Sequence, residues 1–114
     1  MSTKTTVKKI NPIAVIKKIA KAMRTKVRFG SPTTEPSKHW CEVLSIVESP
    51  VPNSFIGWGG NDQEAATNCL QDIAGRLFMK SEEGHLIYYR IVPNQNGYYV
   101  VSAKSRLSKT FIRT

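Results

Sequence analysis

Gly57-Trp58-Gly59-Gly60-Asn61-Asp62-Gln63-Glu64-Ala65-Ala66 is the stretch on which the fold of this 114-residue chain turns. Ser54 to Trp58 reads as a strand that closes on Gly59-Gly60. Asn61 is a helix N-cap residue, suited to accept from the first unpaired backbone N–H groups, and Glu64 stands where a capping box puts its carboxylate. The spacing predicts a helix from Asp62 to about Phe78, with Ala66, Leu70, Ile73 and Leu77 as its apolar stripe, joined by Cys69 and Phe78. A strand delivered through a glycine turn into a capped helix is the junction of an α+β domain.

Upstream, Asn11-Pro12 opens another helix, an N-cap followed by proline at the first helical position, which runs to about Met23 or Arg24. Ile13, Ile16, Ala20 and Met23 share one face, widened by Val15 and Ile19, while Lys17, Lys18 and Lys21 point away. Lys26 to Phe29 is expected as a first strand, Gly30 to Lys38 as a loop, and about His39 to Glu48 as a second strand. Ser49-Pro50-Val51-Pro52-Asn53-Ser54 is a turn too rich in proline for a ladder. Downstream of Glu82-Glu83-Gly84 comes a hairpin: His85 to Val92, a turn over Pro93 to Gly97, and Tyr98 to Ala103. The expected architecture is a single α+β domain, helix–strands–helix–β-hairpin, with an antiparallel sheet packed against the helices. Residues 1–10 are expected to be a flexible basic N-terminus and 11–103 the domain. Residues 104–114 are a basic C-terminal tail whose Leu107, Phe111 and Ile112 dock on it or order on a partner.

Charge narrows the function. The chain has 17 Lys plus Arg against 8 Asp plus Glu, a net +9. Met1 to Gly30 holds nine bases and no acid, Ser31 to Gly75 one base against six acids, and Arg76 to Thr114 seven bases against two acids. Two basic ends around an acidic middle point to a localised positive footprint for a polyanion. No apolar run approaches the ~18 residues of a membrane span, and the first helix lacks the Trp or Phe of an interfacial anchor, so no membrane partner is expected. Met1 to Lys9 has no apolar core of a secretory signal, and a cytoplasmic location is expected. Cys41 and Cys69 read as buried thiols.

With these elements placed, the chain resembles a double-stranded-RNA-binding domain over roughly Asn11 to Phe78. That family opens on a proline-preceded helix with an aliphatic face, as Asn11-Pro12-Ile13, Ile16, Ile19 and Ala20 do here. Its loop ends in His before a strand with large apolar residues four apart, matched by His39, Val43 and Val47. A Gly-x-Gly turn, matched by Gly57-Trp58-Gly59-Gly60, then leads to a second helix with small residues, matched by Ala65, Cys69 and Leu70. The resemblance implies RNA contacts from the first helix, from the loop at Lys38 and His39, and from the start of the second helix. There, however, the family's Lys-Lys pair is replaced by Asp62 and Gln63, and the first helix's minor-groove readers by Lys18 and Lys21. Cations in those places favour phosphate contact over reading of 2′-hydroxyls. A competing resemblance is to small antitoxin-like proteins, where a Gly turn feeds an Asn/Asp-x-x-Glu-Ala helix, as Gly60 to Ala65 does.

The chemistry-bearing residues point to binding. No H-E-x-x-H, C-x-x-C or paired carboxylates occur, so no catalytic residue, metal or cofactor is expected. His39 and Cys41 lie two apart, but nothing in the sequence orients the imidazole for a Cys–His pair. The phosphate-contacting set is Lys17, Lys18, Lys21, Arg24, Lys26, Arg28, Lys38, His39, Arg90, Lys104, Arg106 and Lys109. Tyr88 and Tyr98 on the hairpin, Trp58 between its glycines, and Phe111 are the candidate stacking or anchor residues. Trp58 either meets a ligand where glycine lets backbone come close or caps the core at the strand-to-helix corner. The expected function is a non-enzymatic nucleic-acid-binding protein, RNA slightly favoured over DNA. The alternative is a small phage- or mobile-element-type regulator or inhibitor that binds an acidic protein surface, such as that of a nucleic-acid-processing enzyme.

Overall fold

The computed structural model describes residues 11–46, 53–103 and 107–114. The elements are α1 Pro12–Ala22, β1 Val27–Gly30, β2 His39–Ile46, β3 Asn53–Gly59, α2 Asp62–Ile73, β4 Leu77–Glu82, β5 His85–Asn94, β6 Gly97–Ala103 and β7 Leu107–Arg113. The strands make two antiparallel meanders, β1-β2-β3 and β4-β5-β6-β7. The fold is α+β, as the sequence implies, with a larger second sheet than a hairpin alone would give. The turn expected over 49–54 lies outside the described residues up to position 52, and Asn53 and Ser54 already belong to β3.

Both helices start as their caps dictate. Asn11 Oδ1 accepts from the Ile13 and Ala14 N–H groups at 3.2 and 3.3 Å. Asn61 Oδ1 accepts from Glu64 N–H at 2.8 Å, while the Glu64 carboxylate reaches back to Gly60 N–H at 3.4 Å, one residue beyond the N-cap N–H of a true capping box. α1 closes with Arg24 in the left-handed region (φ 54°), Arg24 N–H on the Lys21 carbonyl at 3.0 Å and Thr25 N–H on that of Ala20 at 2.9 Å. This is a Schellman closure.

Three sequence expectations are corrected. α2 stops at Ile73, five residues before Phe78: Ala74 turns extended (ψ 125°), Gly75 follows at φ 78°, and its N–H bonds the Ile91 carbonyl at 2.7 Å. Leu77 and Phe78 looked like another turn of the stripe, but Leu77 is exposed and Phe78 buried, the alternation of a strand. Glu83 and Gly84, both at positive φ, are the turn that pairs β4 with β5. The turn placed over Pro93 to Gly97 shrinks to Gln95-Asn96, because Pro93 and Asn94 still pair with Tyr98 and Gly97. The tail set apart at 104–114 is largely a strand: β7 pairs with β6 from Ala103↔Leu107 to Gly97↔Arg113 and buries Ile112 in the core.

One core serves the whole molecule. α2 packs on β2 and β3, and α1 packs on α2, β1 and β7. Val15, Ile16, Ile19 and Met23 of α1 meet Ala65, Ala66, Cys69, Leu70 and Ile73 of α2, together with Cys41 and Val43 from the first sheet and Phe78, Ile87, Tyr89, Ile91, Val100 and Ile112 from the second. The Phe55 and Phe78 rings meet across the two sheets at 4.6 Å. Buried Ser45, at a bulge of β2, donates to the Met79 carbonyl at 3.2 Å and accepts from Met79 N–H at 3.3 Å, tying the first sheet to the edge of the second. Each sheet therefore covers the helices with one face and leaves the other to solvent.

The glycines of the decisive stretch explain how close α2 lies. A Cβ on Gly57 would collide with the Ala65 carbonyl and the Cys69 backbone nitrogen, and one on Gly59 would lie 2.7 Å from Ala65 N. Gly60 faces open space. Gly57→Ala therefore destabilises the fold by at least about 2 kcal/mol through forced separation of helix and strand, whereas Gly60→Ala stays within about 0.5 kcal/mol. Urea denaturation of the two variants checks this, and equal midpoints would refute the packing argument.

Candidate nucleic-acid interface

Strand alternation sorts the side chains of the second sheet. Ile87, Tyr89, Ile91, Val100 and Ile112 face the helices. The outer face carries Leu77 and Met79 of β4, Leu86, Tyr88, Arg90 and Val92 of β5, Tyr99, Val101 and Ala103 of β6, and Leu107, Lys109, Phe111 and Arg113 of β7. Tyr88 and Phe111 are each about two-fifths exposed. The Tyr99 and Phe111 rings, register partners, lie 4.8 Å apart at 50°. Arg90, Lys109 and Arg113 are exposed on this face, and no carboxylate lies on it among the described residues.

Of the two hairpin tyrosines expected to stack, Tyr88 lies on this face and Tyr98 does not. Tyr98 stands opposite Pro93, an odd number of strand positions from Tyr88, so it turns inward and packs against the core. Tyr99 takes its place on the outer face. Register, which sequence spacing leaves open by one residue, decides which of two adjacent tyrosines is available.

The other basic residues divide in two. Lys17, Lys18 and Lys21 lie exposed on the outside of α1 and make no ion pair among the described residues. Lys18 and Lys21 share a concavity with Thr110 and Ile112 of β7. The cations of α1 and those of the outer face thus meet around one edge strand. Three others are engaged: Arg24 Nη1 binds Glu82 Oε1 at 3.0 Å, Arg28 Nη2 binds Glu42 Oε1 at 2.7 Å, and Lys38 Nζ binds Glu35 Oε2 at 3.5 Å. His39 Nδ1 lies 2.9 Å from Asp62 Oδ1, joining the loop to the start of α2, two places the resemblance made separate RNA contacts. Lys26 is exposed. Lys104 and Arg106 lie outside the described residues.

Trp58 does not cap the core at the corner. Its neighbours Gly57 and Gly59 face α2, so alternation sends the indole to the solvent side of the first sheet, where it is 46% exposed beside its register partner Trp40. The glycines let a helix come close, not a ligand. Sequence reasoning missed Trp40, Tyr99 and Arg113. The signal for each was strand parity relative to a neighbour already placed.

Buried chemistry serves the fold. With His39 turned to Asp62, Cys41 forms no dyad with it. The Cys41 and Cys69 thiols are buried against one another, and the hydrogen bond between them, with burial, pushes the Cys69 thiol up. At the open end of the helix-facing side, Ala22, Arg24, Glu82, Tyr89, Ser102 and Ser108 line a concavity of about 310 Å³. There burial pushes the Glu82 carboxyl up, but hydrogen bonds from Arg24 and from the Tyr89 hydroxyl, the latter at 3.0 Å, outweigh it and hold Glu82 below its ordinary value. Burial and the same carboxylate keep the Tyr89 phenol above its own. No group of metal-binding residues occurs among the described residues, and no described helix is long and apolar enough to cross a membrane.

Comparison with protein-family models, curated proteins and solved structures returns no match.

The depressed Glu82 carboxyl sets a pH dependence. Its stabilisation is present above the unfolded carboxylate value and lost as the pH falls through the folded one. Glu82→Gln should be less stable than the parent by a constant margin above about pH 5, and the gap should close as the pH drops below about 4. Urea midpoints of both proteins across that range are the check, and a margin that persists in acid would show that the charge is not its source.

Proposed function

We propose that the chain is a non-enzymatic nucleic-acid-binding module that takes single strands on the outer face of its four-stranded sheet. The observation that carries this reading is the composition of that face: Tyr88, Tyr99 and Phe111 with Arg90, Lys109 and Arg113, and no carboxylate among the described residues. Aromatic rings on a flat sheet stack bases of any sequence, and nearby cations attract the phosphates. The α1 lysines extend the positive surface around β7 and draw the polyanion in from a distance. Face-to-face association with a second copy would set these cations against their own kind. An anionic partner does not incur that repulsion.

The order helix, strands, helix over Pro12–Ile73 supports the resemblance to a double-stranded-RNA-binding scaffold. Its loop and second-helix contacts are nonetheless replaced by the His39–Asp62 pair, which argues against duplex reading at that surface. On this reading the scaffold is kept and the binding surface has moved to the added sheet.

Fluorescent single strands, duplex RNA and duplex DNA titrated at several salt concentrations test the proposal. Single strands should bind best, with log affinity falling linearly against log salt. Phe111→Ala should weaken binding roughly tenfold through the lost stacking, and Arg90→Ala should lower the salt slope by about one. Arg24→Ala, which breaks an internal pair, should leave affinity within about twofold. Absence of binding to every nucleic acid at low salt overturns the reading. If an acidic polypeptide such as poly-glutamate then binds and Phe111→Ala weakens it, the surface belongs to an acidic protein partner instead.

A further inference from the structure

The solvent face of the first sheet holds a cleft of about 380 Å³ lined by Arg28, Trp40, Glu42, Ile56 and Trp58. Trp40 and Trp58 are register partners, and Trp40 lies flat over Gly30 of β1, where any side chain would strike the indole. The two indoles are the only tryptophans of the chain. Beside them a chain of hydrogen bonds fixes Arg28. Ser54 Oγ donates to Glu42 Oε2 at 2.8 Å, and Glu42 Oε1 accepts from Arg28 Nε at 3.2 Å and Nη2 at 2.7 Å. The Glu42 side chain is 13% exposed and that of Arg28 58%.

These contacts use one edge of the guanidinium. Among the described residues nothing engages the opposite edge, Nη1 with the second hydrogen of Nη2, which forms a two-donor fork held in place from behind. The charge of Glu42 is spent on Arg28 and Ser54, so the cleft offers donors beside aromatic surface. Lys38 Nζ stands 5.8 Å from the Trp58 ring centroid, at the rim.

We infer that this cleft is a guanine-recognition site, an inference that rests on the single-strand reading above and adds base selectivity to it. A guanine lies on the indoles and its adjacent O6 and N7 acceptors take both hydrogens of the Arg28 fork. On the edge that corresponds to guanine's O6 and N7, adenine sets an amino group against a donor, cytosine likewise, and uracil offers one acceptor where two are needed. Cytosine's adjacent O2 and N3 acceptors lie on its other edge, on a ring with less area to stack, which makes CMP the nearest competitor. Glu42 and Ser54 are positioning residues: they aim the guanidinium without touching the base.

The two tryptophans make the site its own reporter. Intrinsic fluorescence of the intact protein is titrated with GMP, AMP, CMP and UMP at fixed ionic strength, and with inorganic phosphate as competitor. GMP should quench with an affinity at least about fivefold above each of the others. Arg28→Lys keeps the charge and loses the fork, so it should abolish the preference for GMP while quenching by the four nucleotides becomes alike. Glu42→Gln should reduce the preference without removing Arg28. Equal quenching by all four in the parent, displacement of GMP by phosphate, retention of the preference in Arg28→Lys, or no quenching at all overturns the guanine site. A guanine-free oligouridine read by anisotropy separates the two ideas. If it binds and Phe111→Ala weakens it while GMP shows no preference, the guanine site fails alone; if it does not bind at low salt, the single-strand reading fails as well.

Discussion

The contact between the backbone of α2 and the backbone of β3 at Gly57 and Gly59 is the constraint from which the rest of the structure follows. With no Cβ on the strand and Ala65, Ala66 and Cys69 on the helix, the two elements sit closer than ordinary side chains allow. That closeness buries Cys41 and Val43 on β2 and gives α1 a second helix to lie against. It also fixes parity. Once the glycines of β3 face the helix, Ile56 and Trp58 must face away, and register carries Trp40, Glu42 and Arg28 to the same side. The exposed tryptophan is a consequence of the buried glycines.

The second sheet solves a different problem. A three-stranded sheet with two helices leaves the flanks of both helices uncovered, and β4 to β7 close that gap from the side of α1 and the end of α2. Buried Ser45 holds the junction by pairing both polar groups of Met79, a place where an aliphatic residue would leave a buried amide without a partner. The helices are too few to sandwich the strands, so both sheets keep an open face. Openness here follows from element count, and what the chain puts on the open faces is then informative about partners.

The sequence revealed most where local chemistry has one answer. Asn11-Pro12 and Asn61 started helices where they should, and the Gly57 to Ala66 junction lay where it was read. It revealed least where two periods coincide. Ile73, Leu77 and Phe78 continue a helical stripe and also alternate as a strand, and only Gly75 with its bond to Ile91 distinguishes them. The strand at Leu107 to Arg113 was hidden because its only buried side chain is Ile112: an edge strand with one residue in the core reads as a polar tail. At the site, residue types were legible and pairings were not. Lys17, Lys18 and Lys21 needed only helical spacing to be placed outside. Arg24 and Glu82 are 58 residues apart, and no local pattern announces their bond.

The acidic middle of the chain looked like a counterweight to the basic ends, yet four of its described carboxylates act within the fold: Glu35, Glu42, Asp62 and Asp72 each bind a base near them, and Glu82 joins them from the second sheet. Each pair with a Lys or Arg removes a cation as well as an anion from the outward field. The described cations left without a carboxylate partner include Lys17, Lys18 and Lys21 on α1 and Arg90, Lys109 and Arg113 on the open sheet, two groups that adjoin through β7. Among the described residues, internal pairing therefore leaves unpaired positive charge on these two adjoining groups, beside exposed aromatic rings. Phosphate charge and base stacking need those two features side by side.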